Sequence, residues 1–214
     1  MRFKEDIKAI AGVLLIVILF ILASYVVKNN LDLFKSYIKD DFMGMIIYAL
    51  VLVISIVLAP INDIVLVPIA TAIWGWFIAA LLTLLGWVIG SSIAFILARK
   101  YGVPLSKKIL PLKEIYKSQE FVSKENTFIG IILLRIAIPI DIISYATGIF
   151  TNISFTHYFF ATLIGFLPLA FFLAYLGTLP VYLQIIGFIL FLLVIIVGFS
   201  SVKHRHIKKT KKAV

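Results

Sequence analysis

The chain has no cysteine, and that absence removes disulfide frameworks, thiolate nucleophiles and Cys-based metal sites at once. Charge is also scarce: only 14% of the 214 residues are charged, while 63% are hydrophobic. A soluble domain carries about a quarter charged residues. No Gly-rich phosphate loop, nucleophile elbow or HExxH motif occurs, so no enzyme chemistry is legible and no cofactor is implied. His204 and His206 sit in a basic tail without carboxylates, a poor metal site, and His157 stands alone at the start of a span.

What is present is long apolar sequence. Several runs exceed the roughly 18 residues that mark a membrane span. The expectation is an all-α multipass membrane protein in the cell membrane. The formal charge of +10 could suggest nucleic acid, but its placement argues for a membrane surface instead. Basic residues collect before the first run (Arg2, Lys4, Lys8), between Arg99 and Lys124, and in the tail "KHRHIKKTKK". Such clusters mark cytoplasmic sides and anionic headgroups. The N-terminus, central loop and C-terminus are therefore all expected inside.

Three charges remain within apolar sequence: Asp63, Arg135 and Asp141. A charge at the centre of a membrane helix costs about 2.5–3.5 kcal/mol, so it faces a partner or a wet cavity. Arg135 and Asp141 flank Pro139, and Asp63 follows Pro60 in "APIND", with Pro68 further on. Proline frees backbone carbonyls that protein or water must satisfy. These positions read as tips of broken helices.

Arm lengths decide the topology. Residues 1–41 form an anchor (9–27) and a short interfacial stretch. The arm 64–74 is roughly 16 Å long as a helix, about half a bilayer core, and cannot cross alone. The expected order is hairpin 42–74, span 76–98, basic loop 99–126, hairpin 127–150 and span 154–176, a domain over 42–178. A last span at 180–200 and a basic tail complete 179–214. Hairpin plus span occurs twice, entered from opposite sides, an inverted repeat with two re-entrant hairpins meeting near the midplane. That arrangement is typical of transporters.

Arg135 offers a bidentate donor suited to phosphate, with Asp63, Asp141, Asn62, Ser144 and Tyr145 lining the same cavity. The alternative is an internal salt bridge from Arg135 to either carboxylate. An unpaired carboxylate in such a site could exchange protons. Thr147 and Asn152 read as helix caps. Gly86 and Gly90, with Ala94, form a small-residue stripe for close helix approach. Trp74, Trp76 and Trp87 include interfacial anchors by type.

The stretch "PIDIISYATGIFTNISFTHYFFATLIGFLP" resembles a signature of the DedA/VTT superfamily (the SNARE-associated Golgi protein family), through Pro139, Asp141, Tyr145, Gly148, Phe159, Thr162, Gly165 and Pro168. "GWFIAALLTLLGWVIGSSIAFILARKYG" is similar to its spaced glycines followed by Phe95, Arg99 and Gly102. Thr71 stands where the family carries a glycine, and Asp141 lies where the DedA branch has a second arginine, which points to the VTT branch. The resemblance implies facing re-entrant hairpins, packing roles for Gly148 and Gly165, and movement of lipids between leaflets, by scrambling or proton-coupled transport. Membrane lipids with anionic headgroups, and protons, are the implied partners. A small-solute or ion transporter and a non-transporting assembly protein are the alternatives.

Overall fold

The computed structural model describes residues 2–38, 41–58, 63–109, 127–137 and 142–194. Asn62, Asp141, Pro60 and Pro139 lie outside the described residues, as does most of the central basic loop. The described residues are almost entirely helical, without strands. An apolar environment enforces this, because every backbone N–H must find its acceptor within its own helix.

Two units divide the chain, Met1–Thr178 and Leu179–Val214. In the first, α1 (Arg2–Asn29) is followed by the short α2 (Leu31–Tyr37) and by α3 (Phe42–Leu58). Asp41 caps α3, its carboxylate accepting the Gly44 N–H at 2.8 Å. A 3-10 turn (Asp63–Leu66) leads into α4 (Val67–Trp74), where Pro68 occupies the first turn and its missing N–H breaks no helical bond. Gly75, at φ 78°, turns the chain into α5 (Trp76–Ile109), and the left-handed conformation there suits glycine. α5 continues as helix past Arg99, where a loop was expected, and breaks its regular geometry only at Gly102 (φ 60°). Then come α6 (Thr127–Ala137), α7 (Ile142–Phe150) and α8 (Phe155–Thr178). In the second unit, α9 (Val181–Val194) begins at Pro180, whose carbonyl accepts the Gln184 N–H at 3.1 Å.

Among the described residues three helices are long and apolar enough to cross a membrane: Ala11–Asn29, Trp76–Gly102 and Phe155–Thr178. Their side chains are distributed as a membrane requires. Along α5, Leu81, Leu85, Ile89, Ile93 and Ile96 are exposed, whereas Ala80, Gly90, Ala94 and Ala98 are buried. Small residues face protein and large aliphatic ones face outward, which lets backbones approach closely where lipid would otherwise compete.

Two long helices organise the first unit. α3 lies on α5, and α6 lies on α8, each short helix on the long helix that follows it in its own half. The second short helices reach into the other half: α7 packs on α5, and α4 packs on both α5 and α8. Glycines set all four contacts. A Cβ at Gly86 would stand 2.8 Å from Leu52 Cβ, and one at Gly90 3.0 Å from Ile56 Cβ. At Gly165 it would stand 2.6 Å from Arg135 Cβ, and at Gly148 2.6 Å from the Phe95 carbonyl oxygen. Thr71, on the α4 side, is accommodated by Gly177 and donates from Oγ1 to the Ala174 carbonyl at 3.2 Å. α1 packs against α4 and the 3-10 turn.

Candidate functional site

Arg135 is the largest fully buried side chain of the described residues, with no exposed surface. It sits in the last turn of α6, pressed against α8 where Gly165 leaves room for its stem. Its Nη2 donates to Ser144 Oγ on α7 (2.6 Å) and to Tyr158 Oη on α8 (2.8 Å). Tyr158 Oη in turn donates to the Ser91 carbonyl on α5 at 3.2 Å, and the Tyr158 ring stacks on Phe95 at 4.0 Å. Four helices thus converge on one guanidinium.

That convergence leaves the guanidinium incomplete. Nε and Nη1 are buried and have no hydrogen-bond partner among the described residues, and neither do Ser91 Oγ, Ser92 Oγ and Thr162 Oγ1. An unmet buried donor costs about 1–3 kcal/mol, and more when charged. The open N–H groups of Nε and Nη1 lie on different edges of the guanidinium, and each can meet an acceptor oxygen of a carboxylate or phosphate. The Phe166 ring lies 4.5 Å from Cζ, a cation–π contact that holds one face of the guanidinium.

Asp63 stands at the start of the 3-10 turn, 7% exposed. Trp87 Nε1 donates to both of its carboxylate oxygens at 3.1 Å. The Trp87 ring lies 5.2 Å from Phe166. The two charges are therefore linked in series, carboxylate to indole to phenyl to guanidinium, and none of these bonds joins Arg135 to Asp63. Of the tryptophans, Trp76 is exposed at 40%, whereas Trp87 and Trp74 are buried, so Trp87 is a partner of Asp63 rather than an interfacial anchor.

The other sequence candidates fall in four groups. Ser144 is buried on Arg135, as above. Tyr145, also buried, donates to the Val57 carbonyl at the end of α3 (2.6 Å) and so joins the two halves. Thr147 Oγ1 donates back to the Ile143 carbonyl of its own helix at 2.6 Å. Asn62 and Asp141 lie outside the described residues. Tyr158, Phe166 and Ser91 escaped the sequence reading because uncharged residues in an apolar run carry no mark. Gly165 was the available signal: a glycine two turns beyond Tyr158 on the same helix face leaves room for a bulky guest there. Arg99 forms a second anchor, donating from Nη2 to the Thr151 carbonyl (2.6 Å) and from Nη1 to the Ile153 carbonyl, which ties α5 to the segment between α7 and α8.

No group of three or more metal-ligating side chains occurs among the described residues. No curated protein and no solved structure matches the chain. The VTT domain matches residues 61–179, which take in Asp63, Trp87, Arg135, Ser144, Tyr158 and Phe166. With more than half of its length matched and its long apolar helices, this chain is a membrane protein and belongs to the VTT domain family.

Proposed function

We propose that the protein moves lipid between leaflets, taking a phospholipid or lipid-linked phosphate by its anionic headgroup at Arg135, without making or breaking covalent bonds. The observation that carries this reading is the fully buried guanidinium whose Nε and Nη1 have no partner among the described residues. A phosphate oxygen can accept from the open Nε–H or from Nη1, and Ser91 Oγ and Thr162 Oγ1 are further buried hydroxyls without a partner among the described residues.

The crossed packing of α3, α4 and α5 with α6, α7 and α8 supports an inverted repeat. In this reading α3–α4 and α6–α7 are re-entrant hairpins, entered from opposite faces and meeting near the midplane. The N-terminus, basic loop and tail face the cytoplasm of a cell-membrane protein. Asp63, held by Trp87 on the far side of Phe166, sets the polarity of the α3–α4 hairpin tip and is the group through which protons would couple.

The test is lipid translocation by reconstituted vesicles. Arg135→Ala should abolish movement of an anionic lipid while the protein still inserts, because what is removed is the guanidinium with its open donors. Arg135→Lys should restore part of it, since a point charge attracts phosphate without the guanidinium's fixed donor directions. Equal rates in wild type, Ala and Lys proteins would remove headgroup binding from the mechanism. Movement of a small ion instead of lipid would favour a solute transporter.

A further inference from the structure

The Arg135 guanidinium has no exposed surface, so an anion can reach it only after some neighbouring group has moved. One approach to it leads straight from a surface cation. Ser91, Phe95 and Arg99 recur at every fourth position of α5 and share one stripe, each about 6 Å further along the axis. The Tyr158 hydroxyl bonds both the Ser91 carbonyl and Arg135, which places the first of the three beside the buried cation. Arg99, the last, is exposed. Phe95 stands between them and is 1% exposed, while its outer neighbour Phe155, 6.4 Å away between centroids, is 45% exposed.

Phe95 is held by its two faces. The Tyr158 ring stacks on one, with centroids 4.0 Å apart and planes 12° from parallel. Arg99 Cζ lies 4.4 Å over the same ring, and since Tyr158 fills one face the guanidinium takes the other. Exposed cation, phenyl, phenol and buried cation thus stand in series. Neither contact of Phe95 is a hydrogen bond, so a rotation of its side chain breaks both without stranding a buried polar group. Arg99 stays in place meanwhile, because its Nη atoms donate to the Thr151 and Ile153 carbonyls. The Phe166 side of the guanidinium is built otherwise. There the next ring, Trp87, is fixed by bonds of 3.1 Å to both oxygens of Asp63.

We infer that Phe95 is the gate of the Arg135 site and Arg99 its outer station. A phosphate-bearing headgroup meets Arg99 first and passes to Arg135 when the Phe95 ring swings off Tyr158. The identity of the ligand rests on the headgroup reading of Arg135. The gate itself is measured without lipid movement.

The experiment uses the full-length protein in nanodiscs with Ser91→Cys as its single cysteine. Ser91 Oγ has no partner among the described residues, so the change breaks no hydrogen bond. The probe is an anionic methanethiosulfonate. A thiol at position 91 should resist it in the otherwise native chain. Adding Phe95→Ala should speed the reaction about tenfold, because labelling follows the population of the open gate. Phe95→Val removes the stacking plane with less lost volume and serves if Phe95→Ala does not fold. Ala80→Cys, fully buried on the same helix, reports general loosening and should stay protected in both. Phe166→Ala should leave position 91 protected. Protection of position 91 in both Phe95 variants, equal exposure by Phe166→Ala, or exposure of position 80 along with 91 would overturn the gate. In the opened protein a cationic methanethiosulfonate should react more slowly than the anionic one, and Arg99→Gln should narrow that difference severalfold. An unchanged difference would remove Arg99 from the route. If position 91 opens as expected but Arg135→Ala leaves lipid translocation unchanged, the headgroup reading fails and the gate stands. If Arg135→Ala stops translocation while position 91 behaves alike in every variant, the gate alone fails.

Discussion

At the scale of single residues, the energetic problem is one cation with five donors inside an apolar interior. Arg135 meets part of it with Ser144 and Tyr158 and part with the face of Phe166. Tyr158 also spans to the Ser91 carbonyl, so its hydroxyl ties the guanidinium to α5. Tyr158→Phe should retain the ring stack on Phe95 and lose both bonds, a destabilisation of about 1–3 kcal/mol because a charged donor is left unmet. Thermal unfolding in detergent measures the first effect. Lipid translocation measures the second, which should fall because the guanidinium is no longer held at one orientation. Unchanged stability would mean that water replaces the hydroxyl without cost.

At the scale of elements, glycines decide how closely helices approach, and their environments differ enough to be separated. Gly90→Leu puts a branched side chain where even a Cβ would stand 3.0 Å from Ile56 Cβ and 3.2 Å from Val53 Cα, so α3 must move off α5. The yield of folded protein should drop sharply. Gly130, on α6, has nothing within 4 Å of its would-be Cβ. Gly130→Ala should therefore leave the fold intact and gain up to about 1 kcal/mol from helix propensity. Size-exclusion profiles and melting curves of the two variants make the comparison. If Gly90→Leu melted like the wild type yet failed in transport, the stripe would be part of the moving machinery rather than of the packing.

At the scale of the whole molecule, charge distribution sets orientation. The cytoplasmic assignment of the basic clusters predicts that single cysteines at Lys108 and Lys209 resist an impermeant thiol reagent in intact cells, whereas one at Asn30 reacts. The absence of native cysteine makes each such variant a clean reporter. Labelling of position 108 from outside would remove the inverted arrangement of the two halves, since α5 would then end on the wrong face.

Helices, spans and the buried charges were legible from the chain alone because each is a one-dimensional signal. A run of apolar residues long enough to cross a bilayer has few other fates, and an arginine within it must have a reason to be there. The same signal missed that helix runs on past Arg99 to a kink at Gly102 and resumes beyond it to Ile109, after the apolar run stops. Polarity marks the edge of the membrane but does not end a helix. Partnership was decided only in three dimensions. Asp63 and Arg135 invite a salt bridge on paper, yet the fold sets Trp87 and Phe166 between them and gives each a different neighbour. The crossing of α4 to α8 and α7 to α5, and with it the meeting of four helices at one guanidinium, depends on which glycine faces which side chain across more than a hundred residues of sequence, as Thr71 and Gly177 do. Composition determines that such a chain lives in a membrane, because transfer of each residue into lipid is a local and additive free energy. Close packing between distant helices is neither local nor additive, and only the tertiary structure could decide where the cation's open donors point.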